Sequence, residues 1–191
     1  GHLNRDRGDA PLIRNLLHHN RIEDCMKMAN DFGQIEVWQG GPHYIFANVS
    51  VNPGGFWNAV HTTTPPEERS FRSSRFAFAY YFDGAQQTFF FNNIARGLNN
   101  DLFSPLCNAS ALNETLTLQG IAFNNTLHRF GAGLLRHLPE FGRRAYLGNI
   151  LDDMSDCFIR YDHWNPERRQ SREAFEYDSV FEVLDESIFI K

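Results

Sequence analysis

Lysine is almost missing from this chain of 191 residues: its 18 basic residues include only Lys27 and Lys191, and arginine supplies the rest. Arginine keeps the charge while removing the primary amine to which ubiquitin is attached, which is the composition expected of a protein that must persist in a host cytosol. Cysteine is scarce too. Cys25, Cys107 and Cys157 cannot all pair within one chain, and none has the CxxC spacing of a zinc or redox site, so a disulfide scaffold is excluded. No apolar run approaches the length of a membrane span and no signal peptide is recognisable. A net charge of -5 excludes a broadly basic face of the kind that neutralises nucleic-acid phosphates.

What is present is apolar and aromatic. A hydrophobic content of 42% with 18 phenylalanines is enough to bury a core without staples. Four Asn-x-Ser/Thr sequons, at Asn48, Asn108, Asn113 and Asn124, exceed what composition alone predicts and point to export. The expected location is therefore outside the producing cell, secreted or translocated into a host.

Along the chain, Asp9 and Pro11 open a helical pattern that runs to about residue 32 and ends at Gly33. The period then changes to two in QIEVW, with Gly40-Gly41-Pro42 as a turn before HYIFANVSV, which reads as a β-hairpin. In RFAFAYYFDGAQQTFFF, Phe76, Phe78, Tyr80 and Phe82 alternate onto one face, Asp83-Gly84 makes a tight turn, and Phe89 and Phe91 return on a partner strand. Ser104-Pro105 caps a helix through Leu106, Leu112 and Leu116 to Gly120. Leu127, Phe130, Leu134 and Leu138 form a further helical stripe, and Tyr146, Leu147, Ile150, Leu151 and Met154 another. CFIRYDHW and AFEYDSVFEVL return to strand composition. No internal repeat is visible. The expected fold is α+β in a single domain, 1–191: an antiparallel, aromatic-rich sheet packed against helices, with an N-terminal helical segment.

The chemistry-bearing residues are few. Cys107 falls near the start of the helix opened by Ser104-Pro105, where free N–H groups and the helix dipole favour a thiolate. His163 is the matching base and Asp178 the group that orients it. Cysteine at a helix start, then His and Asp on successive strands, resembles the order in papain-like cysteine hydrolases, although the Gly- or Trp-flanked cysteine of that family is absent. FRSSRFAFAYYF looks like the central serine motif of ADP-ribosyltransferase toxins, with Arg5 or Arg7 as the early arginine and Glu173 or Glu176 as the glutamate; REAFE has two residues between its acidic side chains where that family has one. The rings near Trp57, Tyr80 and Tyr81 form the alternative site, a ligand- or protein-binding face.

No metal site is expected. Asp152 and Asp156 stand four apart, but His18 and His19 are adjacent, and His128 and His137 are nine apart, which is not a two-ligand helical spacing. LHRFGAGLLR lacks the order of a phosphate loop, so no cofactor is expected either. The functional expectation is an effector- or toxin-type domain that modifies a host protein as a cysteine-dependent hydrolase or transferase. The alternatives are a non-enzymatic binding module and an ADP-ribosyltransferase-like toxin domain.

Overall fold

The computed structural model describes residues 14–26, 32–54, 77–98, 110–115, 117–137, 143–155, 157–161, 182–183 and 188–190. Their elements are β1 (Asn15–His18), β2 (Arg21–Glu23), β3 (Phe32–Trp38), β4 (His43–Phe46), β5 (Val49–Val51), β6 (Ala77–Asp83), β7 (Gln87–Phe91), β8 (Ile94–Arg96), β9 (Ser110–Thr115), β10 (Gln119–Phe123), β11 (Thr126–His128), β12 (Ala132–His137), β13 (Arg143–Leu147), β14 (Ile150–Asp152), β15 (Cys157–Tyr161), β16 (Glu182–Val183) and β17 (Ile188–Ile190). No helix occurs among the described residues, so none there is long and apolar enough to cross a membrane.

The strands form three sheets: A, in the order β1-β4-β7-β10-β13-β16; B, β2-β5-β8-β11-β14-β17; and C, β3-β6-β9-β12-β15. The pairings are parallel throughout, for example β4 on β7, β5 on β8 and β6 on β9. Chain order visits A, B and C in turn. The chain therefore winds, each strand lying on the one a coil earlier, through five full coils and into a sixth. This is a parallel β-solenoid, in which each coil contacts its neighbours and the core runs along the axis.

That architecture overturns the α+β expectation, the antiparallel sheet and the helices. The turns were placed correctly but lead elsewhere. Gly40, Gly41 and Gly84 have positive φ, yet each helps carry the chain from sheet C into sheet A instead of back along its own sheet. Successive corners then stack, with the Gln86 amide donating to Gly40 O at 2.7 Å. The N-terminal helical pattern covers β1, β2 and the start of β3, and Leu112 lies in β9 where a helix through 116 was expected. The stripe Leu127, Phe130, Leu134 has a simple cause. All three side chains face the core, Leu127 from sheet B, Leu134 from sheet C and Phe130 from the corner between them. A strand period of two broken by a corner residue gives spacings of three and four, which imitate a helix.

The missed repeat is set at the corner between sheets A and B. In all five coils it is two residues long, and the first has positive φ: His19, Ala47, Asn92, Asn124 and Gly148. The second is always asparagine: Asn20, Asn48, Asn93, Asn125 and Asn149. Each later rung's Oδ1 accepts from the backbone N–H and Nδ2 of the rung before, as Asn93 Oδ1 does from Asn48 at 3.0 Å in both cases. Nδ2 of Asn48, Asn93, Asn125 and Asn149 also donates to Leu17 O, Ile45 O, Phe90 O and Ala122 O. The corner amides are thus satisfied by side chains at the one place where the ladder of strand hydrogen bonds is interrupted. Rungs are separated by 28, 45, 32 and 24 residues, which hides the repeat from any fixed-period search.

Inward positions stack in columns along the axis. Leu17, Ile45, Phe90, Ala122 and Tyr146 align on sheet A, and Ser50, Ala95, Leu127 and Leu151 on sheet B. Tyr80 and Phe82 meet Phe90 edge-on, with centroids 4.7 and 5.4 Å away. Burying such a ring is worth about 1.5–3 kcal/mol. Toward the later coils the core becomes ionic: Arg144 Nε lies 3.3 Å from Glu114 Oε1, with both side chains almost fully buried. The Tyr146 hydroxyl donates to Glu114 and Arg144 donates to Thr117 O. Next to this arginine Gly120 makes room for Thr88, since a Cβ there would sit 2.5 Å from Thr88 Oγ1.

Candidate binding surface on sheet A

Side chains that alternate with the inward columns of sheet A point outward, and they too stack. One outer column is Leu16, Tyr44, Phe89, Ile121 and Ala145; the other is His18, Phe46, Phe91, Phe123 and Leu147. Their residue types follow from period two in HYIF, TFFF and GIAF, each read just before a ladder asparagine.

In the second column the rings lie face to face. His18 and Phe46 are 4.8 Å apart at 13°, Phe46 and Phe91 are 5.0 Å apart at 3°, and Phe91 and Phe123 are 4.8 Å apart at 7°. Tyr44 and Phe89 repeat the arrangement in the first column at 4.6 Å and 8°. Centroid distance here is simply the strand spacing, so in-register rings have no choice but to stack. The Arg14 guanidinium sits over the Tyr44 ring, 5.7 Å from its centroid, and closes one end of the first column. Each stacked pair adds about 0.5–1.5 kcal/mol.

The Tyr and Phe rings remain half-buried, whereas His18 is exposed and Leu16 is 55% exposed, so the strip is a real surface and not a second core. It is rimmed by polar groups. Gln87 and Gln119 stand beside the first column, and the corner residues His19, Asn92 and Asn124 beside the second.

No family model, curated protein or solved structure matches the chain. The strip must be interpreted on its own geometry. Stacking has an immediate chemical consequence: the ring faces are spent on one another, and what reaches solvent is C–H edge. A sugar that needs a free ring face to lie on has none along the columns, whereas an apolar protein surface can pack against edges.

The residues expected from sequence to carry function fall differently. Cys107, His163, Asp178 and Trp57 lie outside the described residues, as do Ser73, Ser74 and the Arg5, Arg7, Glu173 and Glu176 of the alternative reading. The helix that was to activate Cys107 is replaced over 110–115 by β9. Tyr80 is fully buried, its hydroxyl 3.0 Å from both Asn48 O and Ile94 O, and burial pushes its phenol far above the usual range. Tyr81 is buried as well, against Phe78 at 5.2 Å, a pair set apart from the main core. Neither ring offers an exposed face to a ligand. Phe78 also leaves the face expected to hold it with Tyr80, because Ala79 and Tyr80 both enter the core and shift the alternation.

The sequons change meaning likewise. Asn48 is a ladder rung and Asn113 is 2% exposed, so neither can carry a glycan in the folded chain; Asn124 is exposed and Asn108 lies outside the described residues. Asp152 sits on a strand and pairs with His128, not with a helical neighbour.

The outward residues Tyr44, Phe46, Phe89, Phe91 and Phe123 were missed. A signal existed: aromatic-x-Asn occurs at His18–Asn20, Phe46–Asn48, Phe91–Asn93 and Phe123–Asn125, with Leu147–Asn149 as the aliphatic version.

Proposed function

We propose that this chain is a non-enzymatic binding module that docks an apolar surface of a partner protein on the outer face of sheet A. The observation that carries this reading is the pair of outer columns, apolar across five coils but for His18 at one end and rimmed by amides and His19, with ring edges and not ring faces turned outward. Contiguous exposed apolar surface with a polar rim is the ordinary mark of a protein contact. The scarcity of lysine fits a partner met inside a host cell, where the module persists while bound.

A photoreactive phenylalanine placed at Phe89 tests this directly, with the same probe at Ile94 on sheet B as the control. One discrete protein adduct is expected from position 89, none from 94, and its loss when Phe46→Glu is added. Equal labelling at both positions, or labelling at 89 that survives Phe46→Glu, would rule the surface out.

A further inference from the structure

The outer face of sheet B carries a different chemistry. Arg96 on β8, His128 on β11 and Asp152 on β14 occupy the same register on three adjacent strands. Neighbouring strands lie about 4.8 Å apart, so the three side chains form one row. His128 Nδ1 is 2.8 Å from Asp152 Oδ2; the carboxylate can only accept, so Nδ1 carries the proton. Nε2 of His128 makes no hydrogen bond among the described residues.

Among the described residues, the charged side chains around this row have hydrogen-bond or ion-pair partners, except one. Asp152 is taken by His128. Asp153 is 3.7 Å from Arg129 Nε, and Arg129 also donates to Leu98 O at 3.1 Å. Glu23, two strands from Arg96, pairs with Arg21 at 2.9 Å, and Asp24 accepts from Asn52. Val51, beside Arg96 on β5, carries no charge. Arg96 is exposed, and no described carboxylate is left for it.

We propose that Arg96 and His128 form a binding site for an oxyanion, a carboxylate or phosphate group borne by a ligand. The guanidinium supplies a fork of donors that matches two oxygens of such a group. Nε2 of the imidazolium supplies a further donor one strand away, and Asp152 holds the ring in place. The site is independent of the sheet A surface. The doubly protonated ring is the form that donates from both nitrogens; Arg129, Asp152 and Asp153 are the other charged groups beside the site.

Histidine ring resonances measured by NMR at pH 5.5 and 8.5, during titration with inorganic phosphate or sodium acetate against sodium chloride of equal ionic strength, decide the matter. His128→Gln identifies the signal by removing it. A saturable shift confined to His128 is expected at pH 5.5, weakened at least tenfold by Arg96→Ala and largely restored by Arg96→Lys. Response to phosphate alone assigns the site to phosphate-bearing ligands, and response to acetate extends it to carboxylates. The proposal is overturned if the exposed His18 and His19 move as much as His128, or if Arg96→Ala leaves the titration unchanged. Arg96 lies on the outer face, so an unaltered melting curve for Arg96→Ala will show that the fold survives the test.

Discussion

In its first five passages from sheet A to sheet B the chain turns in two residues, and only the sixth, from β16 to β17, is longer; between sheets B and C it takes eight residues, then 25, 13, three and four. The two corners do the same geometric job under different constraints. At the first, a buried amide must reach both the previous rung and the next, so one residue more or less breaks hydrogen bonds in two directions. At the second no such line of side chains runs along the axis among the described residues, and connections of three to 25 residues are compatible with one strand register. Length is conserved along the solenoid where buried polar groups demand it.

The comparison is broken most severely by moving the insertion. One serine added between Asn93 and Ile94 displaces β8 by a residue, turns Ala95 outward and Ile94 and Arg96 inward, and is expected to abolish cooperative thermal unfolding. Two residues added to the 97–109 connection are expected to cost less than about 1 kcal/mol, since loop closure grows only slowly with length. Comparable melting losses from both would show that the corners do not differ as described.

Next in size is a contrast within one corner. Asn125→Ala removes the acceptor of the Asn93 N–H and of one Asn93 Nδ2 hydrogen, and the side-chain donor to Phe90 O, and about 3–5 kcal/mol of stability should be lost. Asn124→Gly, next door, keeps the left-handed backbone and exposes nothing buried, so it should change stability by no more than about 0.5 kcal/mol. Urea unfolding of both variants reads the difference.

A smaller effect, confined to acid, comes from the corner between sheets C and A. Burial holds His43 below its ordinary pKa against the opposing pull of the Gln39 and Gly40 carbonyls; Nε2 donates to Gln39 O at 2.8 Å and Nδ1 accepts from Asn15 at 3.0 Å. Folding thus favours the neutral ring. Its contribution is complete above the unfolded pKa near 6.5 and is withdrawn as pH falls from there toward the depressed folded value. Stability measured from pH 8 to pH 5 should decline less in His43→Gln than in the parent; parallel curves would show that His43 is not the group responsible.

The smallest effect belongs to Ala47, which holds the left-handed slot of its corner at φ 54° with a side chain unsuited to it. Ala47→Gly removes the strain but loosens the unfolded chain, and a net gain of up to about 1 kcal/mol in urea unfolding is expected. A loss instead would mean that the Ala47 methyl contributes packing that its half-buried setting conceals.

The strands in QIEVW, HYIFANVSV and CFIRYDHW were legible because period two survives inside a strand whatever that strand pairs with. Parallel pairing was not, because Asp83-Gly84 and Gly40-Gly41 are ordinary turn sequences and only the destination of the chain separates a hairpin from a solenoid corner. Phe130 made strands of two sheets look like one helix by filling the corner between them with an apolar side chain. Of the outer rings only Phe89 and Phe91 were singled out, as the return strand of a hairpin; the use of the whole set depends on register between coils 24 to 45 residues apart, which no local pattern records.

The row of amides from Asn20 to Asn149 is also an electrical object. A side-chain carbonyl that accepts two N–H bonds is polarised, and the Nδ2 hydrogens of the same amide become better donors to the rung that follows. Five amides in series therefore hold one another more tightly than any pair would alone, and a version of this protein cut to two coils would lose more cohesion per coil than its share of buried surface suggests.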